Sequence, residues 1–197
     1  MDLERQKENF KDHVAQLIDY GNIKILDFKN PNSSNYRIRF LFEEDYCRLH
    51  ISGDLGELIA TNYNNMTYEK FSDFVDDIGY FEGKINCNSR SIYSYDETDA
   101  ESDLRKLFDE YDVYDFIVAE KYEWETEAEK IDEVISDILC DFSQNSGIGS
   151  KGYDILSKYL DDAWEFSSDI GKRETGILDL YMLAFKLAKE RLEVQKR

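Results

Sequence analysis

The chain of 197 residues is 42% apolar and 14% aromatic, enough for a packed core in one domain or two small ones and too aromatic for an acidic disordered tail. Its formal charge of −19 makes nucleic acid and acidic membranes poor partners and basic clefts good ones. Three widely spaced cysteines (Cys47, Cys87, Cys140) argue against a disulfide framework or zinc site, and the most apolar stretch, 176–188, is interrupted by Asp179 and Lys186, so a soluble cytoplasmic protein is expected.

Leu3, Phe10, Val14, Leu17 and Ile18 share one side of a helix over 3–20, ended by Gly21. Period-two alternation follows. Ile23 and Ile25 suggest a strand; Tyr36, Ile38, Phe40 and Phe42 alternate with Arg37 and Arg39; Cys47, Leu49 and Ile51 alternate with Arg48 and His50. A further strand over 57–63 makes a meander of three or four antiparallel strands. A short helix over 67–78 places Phe71, Phe74 and Val75 inward, and 79–89 reads as a loop or a short ordered turn. Thr98-x-x-Glu101 has the spacing of a capping box and starts a helix that ends near Tyr111.

Residues 117–142 read as the longest helix. Trp124, Ala128, Ile131, Ile135, Ile138 and Phe142 form one apolar stripe at alternating spacings of four and three. The glycine-rich 143–152 breaks the pattern. A helix over 153–167 comes next, and then one over 174–196 that is apolar nearly all round and basic in its last turn, including Lys196 and Arg197. Such a helix lies in a core or in an oligomer interface, which raises a homodimer as an expectation. The fold class is α+β: an N-terminal helix, a small antiparallel sheet, then a helical C-terminal half with a long acidic amphipathic helix. The division expected is a sheet-containing region, 1–90, and an acidic helical region, 91–197.

Charge is concentrated. Asp96 to Asp141 holds eighteen Asp and Glu against four Lys and Arg, a net of −14. Glu120, Glu123, Glu125, Glu127, Glu129, Asp132, Glu133, Asp137 and Asp141 lie off the apolar stripe. As one helix, 117–142 would run about 39 Å, over which one nucleic-acid strand carries about 11 phosphates. Nine carboxylates thus approach the charge of a single strand, and these nine are the candidate partner-binding face. The plainer reading is a solvated helix face. Solvated faces usually mix signs to gain i,i+4 pairs, and this one mostly does not.

Other signatures are weaker. Gly147-Ile-Gly149-Ser-Lys-Gly152 matches the dinucleotide pattern, but a helix precedes it where a strand is required, so it reads as a helix–helix linker. The segment from Asp96 lacks the glycine and terminal glutamate of a calcium loop, with Glu101 and Leu107 at those places. Two histidines, His13 and His50, leave little material for a triad or metal site. Arg37, Arg39 and Arg48 with Tyr36, Tyr46 and Tyr63 could stack single strands, but the overall charge favours local pairing with acids. No catalytic residue, metal ligand or cofactor is expected.

The segment Cys47-Arg-Leu-His-Ile-Ser-Gly-Asp-Leu-Gly-Glu-Leu-Ile59, followed by Phe71-Ser-Asp-Phe-Val75 and Gly79-Tyr-Phe-Glu-Gly-Lys-Ile85, resembles small phage and prophage proteins over roughly residues 36–110. Acidic phage proteins of this size include anti-CRISPR and anti-restriction inhibitors. The resemblance therefore implies a non-enzymatic inhibitor acting in a host cytoplasm on a protein with a basic nucleic-acid cleft, a CRISPR effector nuclease foremost. It assigns no functional residues. The alternatives are an immunity or oligomeric accessory protein that does not mimic nucleic acid, and a metal-dependent nuclease.

Overall fold

The computed structural model describes residues 2–63, 65–74, 76–123 and 125–195. Val75, Trp124, Lys196 and Arg197, which the sequence places on helices, lie outside them. The fold is α+β and divides into two compact units: unit 1 comprises Met1–Ile92 with Thr175–Arg197, and unit 2 is Tyr93–Glu174. The last helix, expected with the acidic region beyond residue 90, thus belongs to the first unit.

Unit 1 begins with a short helix α1 (Leu3–Lys7), capped by the Asp2 carboxylate on the Arg5 N–H, and a 3-10 turn Glu8–Phe10. The expected helix stops there. Residues Val14–Asp19 form strand β1, paired with β2 (Ile23–Lys29) in a hairpin whose turn uses Gly21 at φ +84. Leu17 faces Leu26 and Ala15 faces Phe28, so pairing across the sheet overrides helical spacing that was equally compatible with the residues. β3 (Ile38–Glu43) and β4 (Arg48–Gly53) follow, as their alternation predicts, and β5 (Leu58–Thr61) lies within the strand expected over 57–63.

Helix α2 (Ile78–Glu82) and β6 (Ile85–Asn88) occupy the segment expected to be a loop or a short ordered turn, while the expected helix over 67–78 is a 3-10 segment, Lys70–Phe74. β6 carries one core-facing apolar residue, Ile85 opposite Ala60, and a bulge at Ile59/Ala60, so no alternation announced it. The result is a six-stranded antiparallel sheet in sequential order, β1 to β6.

Helix α8 (Ile177–Gln195) covers one face of this sheet. Phe185 meets Phe40, Phe42 and Phe71 edge-on, with centroids 4.8 to 6.2 Å apart. Leu178, Leu180, Tyr181, Met182, Leu183, Ala184, Phe185 and Ala188 are all buried. The apolar circumference that suggested a dimer is thus largely taken up by the core of unit 1. On the opposite face Arg39 forks onto Asp27 at 2.6 and 2.7 Å, Arg48 pairs with Glu43 and Arg37 with Asp54. These three arginines are locally neutralised.

Unit 2 opens and closes with a two-stranded ladder, β7 (Tyr93–Tyr95) on β8 (Lys172–Glu174), which ties its ends together. Between them run α3 (Glu97–Glu110), α4 (Val113–Ala119), α5 (Glu127–Ile138), α6 (Ser150–Tyr159) and α7 (Ala163–Phe166). Leu104, Phe108, Ile117, Ile135, Ile138 and Leu156 are central to its separate core.

The long acidic helix is two helices. A new N-terminus forms at Thr126, whose hydroxyl accepts from the Glu129 N–H while the Glu129 carboxylate accepts from the Thr126 N–H at 2.9 Å. Continuing the helix would instead have stacked Glu120, Glu123 and Glu127 at repulsive spacings. The same capping signature at Thr98 is not used: Asp96 caps α3 and Thr98 lies inside its first turn.

Candidate functional site

Charge divides with the fold. Unit 2 holds 24 Asp and Glu against 8 Lys and Arg over 82 residues, a net of −16. Unit 1 holds 19 against 16 over 115 residues, a net of −3. The expected acidic face lies wholly in unit 2, yet it is not one line of free carboxylates.

Glu120 sits at the C-cap of α4 and accepts from the Tyr159 hydroxyl at 3.0 Å. Burial and that carboxylate both push the Tyr159 phenol up. Glu125 accepts from the Tyr122 N–H at 3.2 Å. Glu129 is the capping-box residue, and the Thr126 N–H and hydroxyl hold its carboxyl below the usual range. Asp132 bonds Arg105 at 2.6 Å, and Glu133 bonds Lys130 at 2.8 Å.

Asp141 is not on the face at all. It accepts from the N–H groups of Lys151 (2.9 Å) and Gly152 (3.1 Å) at the start of α6, and these bonds lower its pKa. Of the nine, only Glu123, Glu127 and Asp137 are exposed with no hydrogen bond or ion pair among the described residues.

Asp141 also settles the glycine motif. The helix N-terminal N–H groups that a phosphate would use are occupied by the chain's own carboxylate. A Cβ on Gly149 would run into that carboxylate, one on Gly147 would come 2.8 Å from the Tyr95 ring, and one on Gly152 would overlap the Ile138 carbonyl. All three glycines permit close approach within unit 2.

Two clusters that were distant in sequence do converge. Arg105 on α3 holds Glu101 at 2.8 Å and Asp132 of α5 at 2.6 Å, and both raise its pKa, Asp132 more strongly. Around it lies a polar groove of about 440 Å³ lined by Glu97, Glu101, Asp132, Ser136 and apolar edges of α5. Other acids of α3 point elsewhere: Asp99, with Asp96, engages Arg173, and Asp103 accepts from the Gly171 N–H. The acidic residues thus share one groove in part and scatter in part.

Sequence reasoning missed a second feature of unit 2. Tyr111, Phe116, Ala119, Tyr159, Leu160 and Phe166 line a groove of about 700 Å³ whose rim carries Glu120, Lys158, Asp161 and Asp162. The available signal was Phe116, an aromatic adjacent to the core position Ile117 and therefore off the buried side of α4.

Among the described residues no group of three His, Cys, Asp or Glu side chains could hold a metal ion, and no helix is long and apolar enough to cross a membrane. No protein-family model, curated protein or solved structure matches this chain.

Proposed function

We propose that the protein is a stoichiometric inhibitor that places its acidic unit 2 in the basic nucleic-acid cleft of another protein. The observation that supports this is the segregation of charge with the fold, −16 in unit 2 against −3 in unit 1. A chain that needed charge only for solubility has no reason to collect it in one compact unit, because self-repulsion there costs stability.

The mimicry is shorter than a single 39 Å helix would allow. The twelve residues of α5 span about 18 Å, over which one strand carries about five phosphates. Glu127, Glu129, Asp132, Glu133 and Asp137 match that number, reduced in effect by Lys130 and Arg105. The contact surface is accordingly a patch: Glu123, Glu127 and Asp137 outward, with Glu97 and Glu101 flanking the α3–α5 groove. Among basic clefts, that of a CRISPR effector nuclease is the target class that the resemblance to phage anti-defence proteins favours.

The test uses a purified effector nuclease titrated with the protein. Inhibition is expected to need equimolar protein, to be relieved by excess nucleic acid and to weaken steeply with salt. Glu127→Lys with Asp137→Lys removes two exposed carboxylates that make no hydrogen bond or ion pair among the described residues, so folding is expected to be kept, at the modest cost of a first-turn acid of α5, and inhibition lost. Undiminished inhibition by that folded variant refutes the assignment of the surface. Inhibition at sub-stoichiometric dose refutes the binding mechanism and points to turnover.

A further inference from the structure

Large side chains left exposed together usually mark a binding surface. In unit 2 two such side chains meet at the groove between α4 and the corner joining α6 to α7. Phe116 is 68% exposed and Tyr111 46%. The Tyr111 and Phe166 rings meet edge-on at 5.1 Å, which steadies one wall, and the Tyr159–Glu120 hydrogen bond steadies the other. At the rim the carboxylates of Glu120, Asp161 and Asp162 outnumber the single ammonium of Lys158. Aromatic faces inside a ring of carboxylates are a surface for a cation with a flat, apolar side.

We propose that this groove is the anchor point for an arginine of a basic segment on the partner protein. The guanidinium lies against the Phe116 and Tyr111 rings, and its N–H groups reach the carboxylates of Asp161 and Asp162. Arginine fits better than lysine. Its planar head stacks on rings, is weakly hydrated and presents forked donors to a carboxylate, whereas an ammonium is a compact, strongly hydrated point charge. The inference rests on the proposed encounter of unit 2 with a basic surface and adds where short-range grip and selectivity reside. Diffuse charge governs encounter rate and salt dependence, while a desolvated aromatic pocket governs what stays bound.

The probes are fluorescein-labelled oligo-arginine and oligo-lysine peptides of equal length, read by fluorescence anisotropy across a salt series. The wild-type chain is expected to bind the arginine peptide more tightly. Phe116→Ala leaves the charge unchanged and removes an exposed side chain, so the fold should persist. It should weaken arginine-peptide binding by about two- to fivefold without altering the slope against salt, and Phe116→Trp should restore it. Asp161→Asn with Asp162→Asn should narrow the preference for arginine over lysine. Equal binding by wild type and both the Phe116→Ala and the paired Asn variants overturns the anchor, and it leaves the acidic-surface reading standing as long as both peptides bind with a steep salt dependence. Failure of both peptides to bind at low salt overturns both.

Discussion

Alanine at Gly152 should destabilise unit 2, although alanine is the better helix former. In the interior of a free helix, Gly to Ala gains about 1 kcal/mol. Gly152 is buried in α6 where that helix crosses the end of α5. A Cβ there overlaps the Ile138 carbonyl oxygen and comes 2.8 Å from Ile148 Cγ2 and 3.0 Å from the Ile138 carbonyl carbon, whereas ordinary contact begins at 3.4 Å. The obstacle is backbone, so α5 and α6 must part. Overpacking of this kind costs about 1–3 kcal/mol, and for a unit of this size a loss of about 2 kcal/mol lowers the melting temperature by roughly 10 °C. Both tryptophans, Trp124 and Trp164, lie within residues 93–174, so tryptophan emission during a thermal melt reports unit 2. Gly79→Ala on α2 is the control. Its Cβ meets nothing within 4 Å, so it should leave the tryptophan melt unchanged and raise the stability of unit 1 by up to about 1 kcal/mol. A Gly152→Ala protein that melts at or above the wild-type temperature refutes the close packing of α5 on α6, and with it the structural reading of the glycine motif.

Two further outcomes concern unit 1. His13 is buried between the Phe10 and Phe28 rings, its Nε2–H donates to the Tyr36 carbonyl at 3.2 Å and its Nδ1 has no partner among the described residues. Burial, aided by Arg191, holds its pKa below 6.5, so the unfolded chain binds a proton that the folded chain refuses. Stability is therefore whole above the unfolded value and falls as pH drops through the window beneath it. Far-ultraviolet melts from about pH 7.5 to about pH 5.5 should show the decline in wild type and a shallower one in His13→Gln; equal slopes would rule His13 out as its source. The Tyr181 hydroxyl donates to the Leu55 carbonyl at 2.9 Å, and burial pushes its pKa up to about 12. Tyr181→Phe should cost about 1 kcal/mol in denaturant unfolding, because the carbonyl loses its donor; no loss would mean that the hydrogen bond contributes nothing net.

Strands β3 and β4 were legible because one face of the sheet is buried and the other is wet, which writes period-two alternation directly into the residues. The core position of α8 was legible as one of two choices for the same reason: a helix apolar all round must be covered. β1 was not, since Val14, Leu17 and Ile18 fit helical spacing as Ala15 and Leu17 fit strand spacing, and only β2, its partner, decides between them. The acidic face was misread in a particular way. Each carboxylate was counted as free, but Glu129 and Asp141 cap helices, Asp132 and Glu133 hold cations, and Glu120 holds a tyrosine. The break before α5 was open to view in Thr126-x-x-Glu129, while the acceptor role of Asp141 depends on backbone ten residues onward.

By itself the sequence determined how much negative charge the protein carries and along which stretch, since composition needs no fold. It also determined where sheet residues alternate, since side-chain period is a local property. Only the tertiary structure decided that α8 returns to the sheet, so that residues 93–174 stand as a unit of their own holding −16 of the charge. It likewise decided which acids are engaged and which remain exposed, and that Phe116 lines a groove with Tyr111, Tyr159 and Phe166. The physical reason is common to these outcomes: each depends on groups that meet through space at long sequence separation, and neither helical nor strand periodicity carries that information.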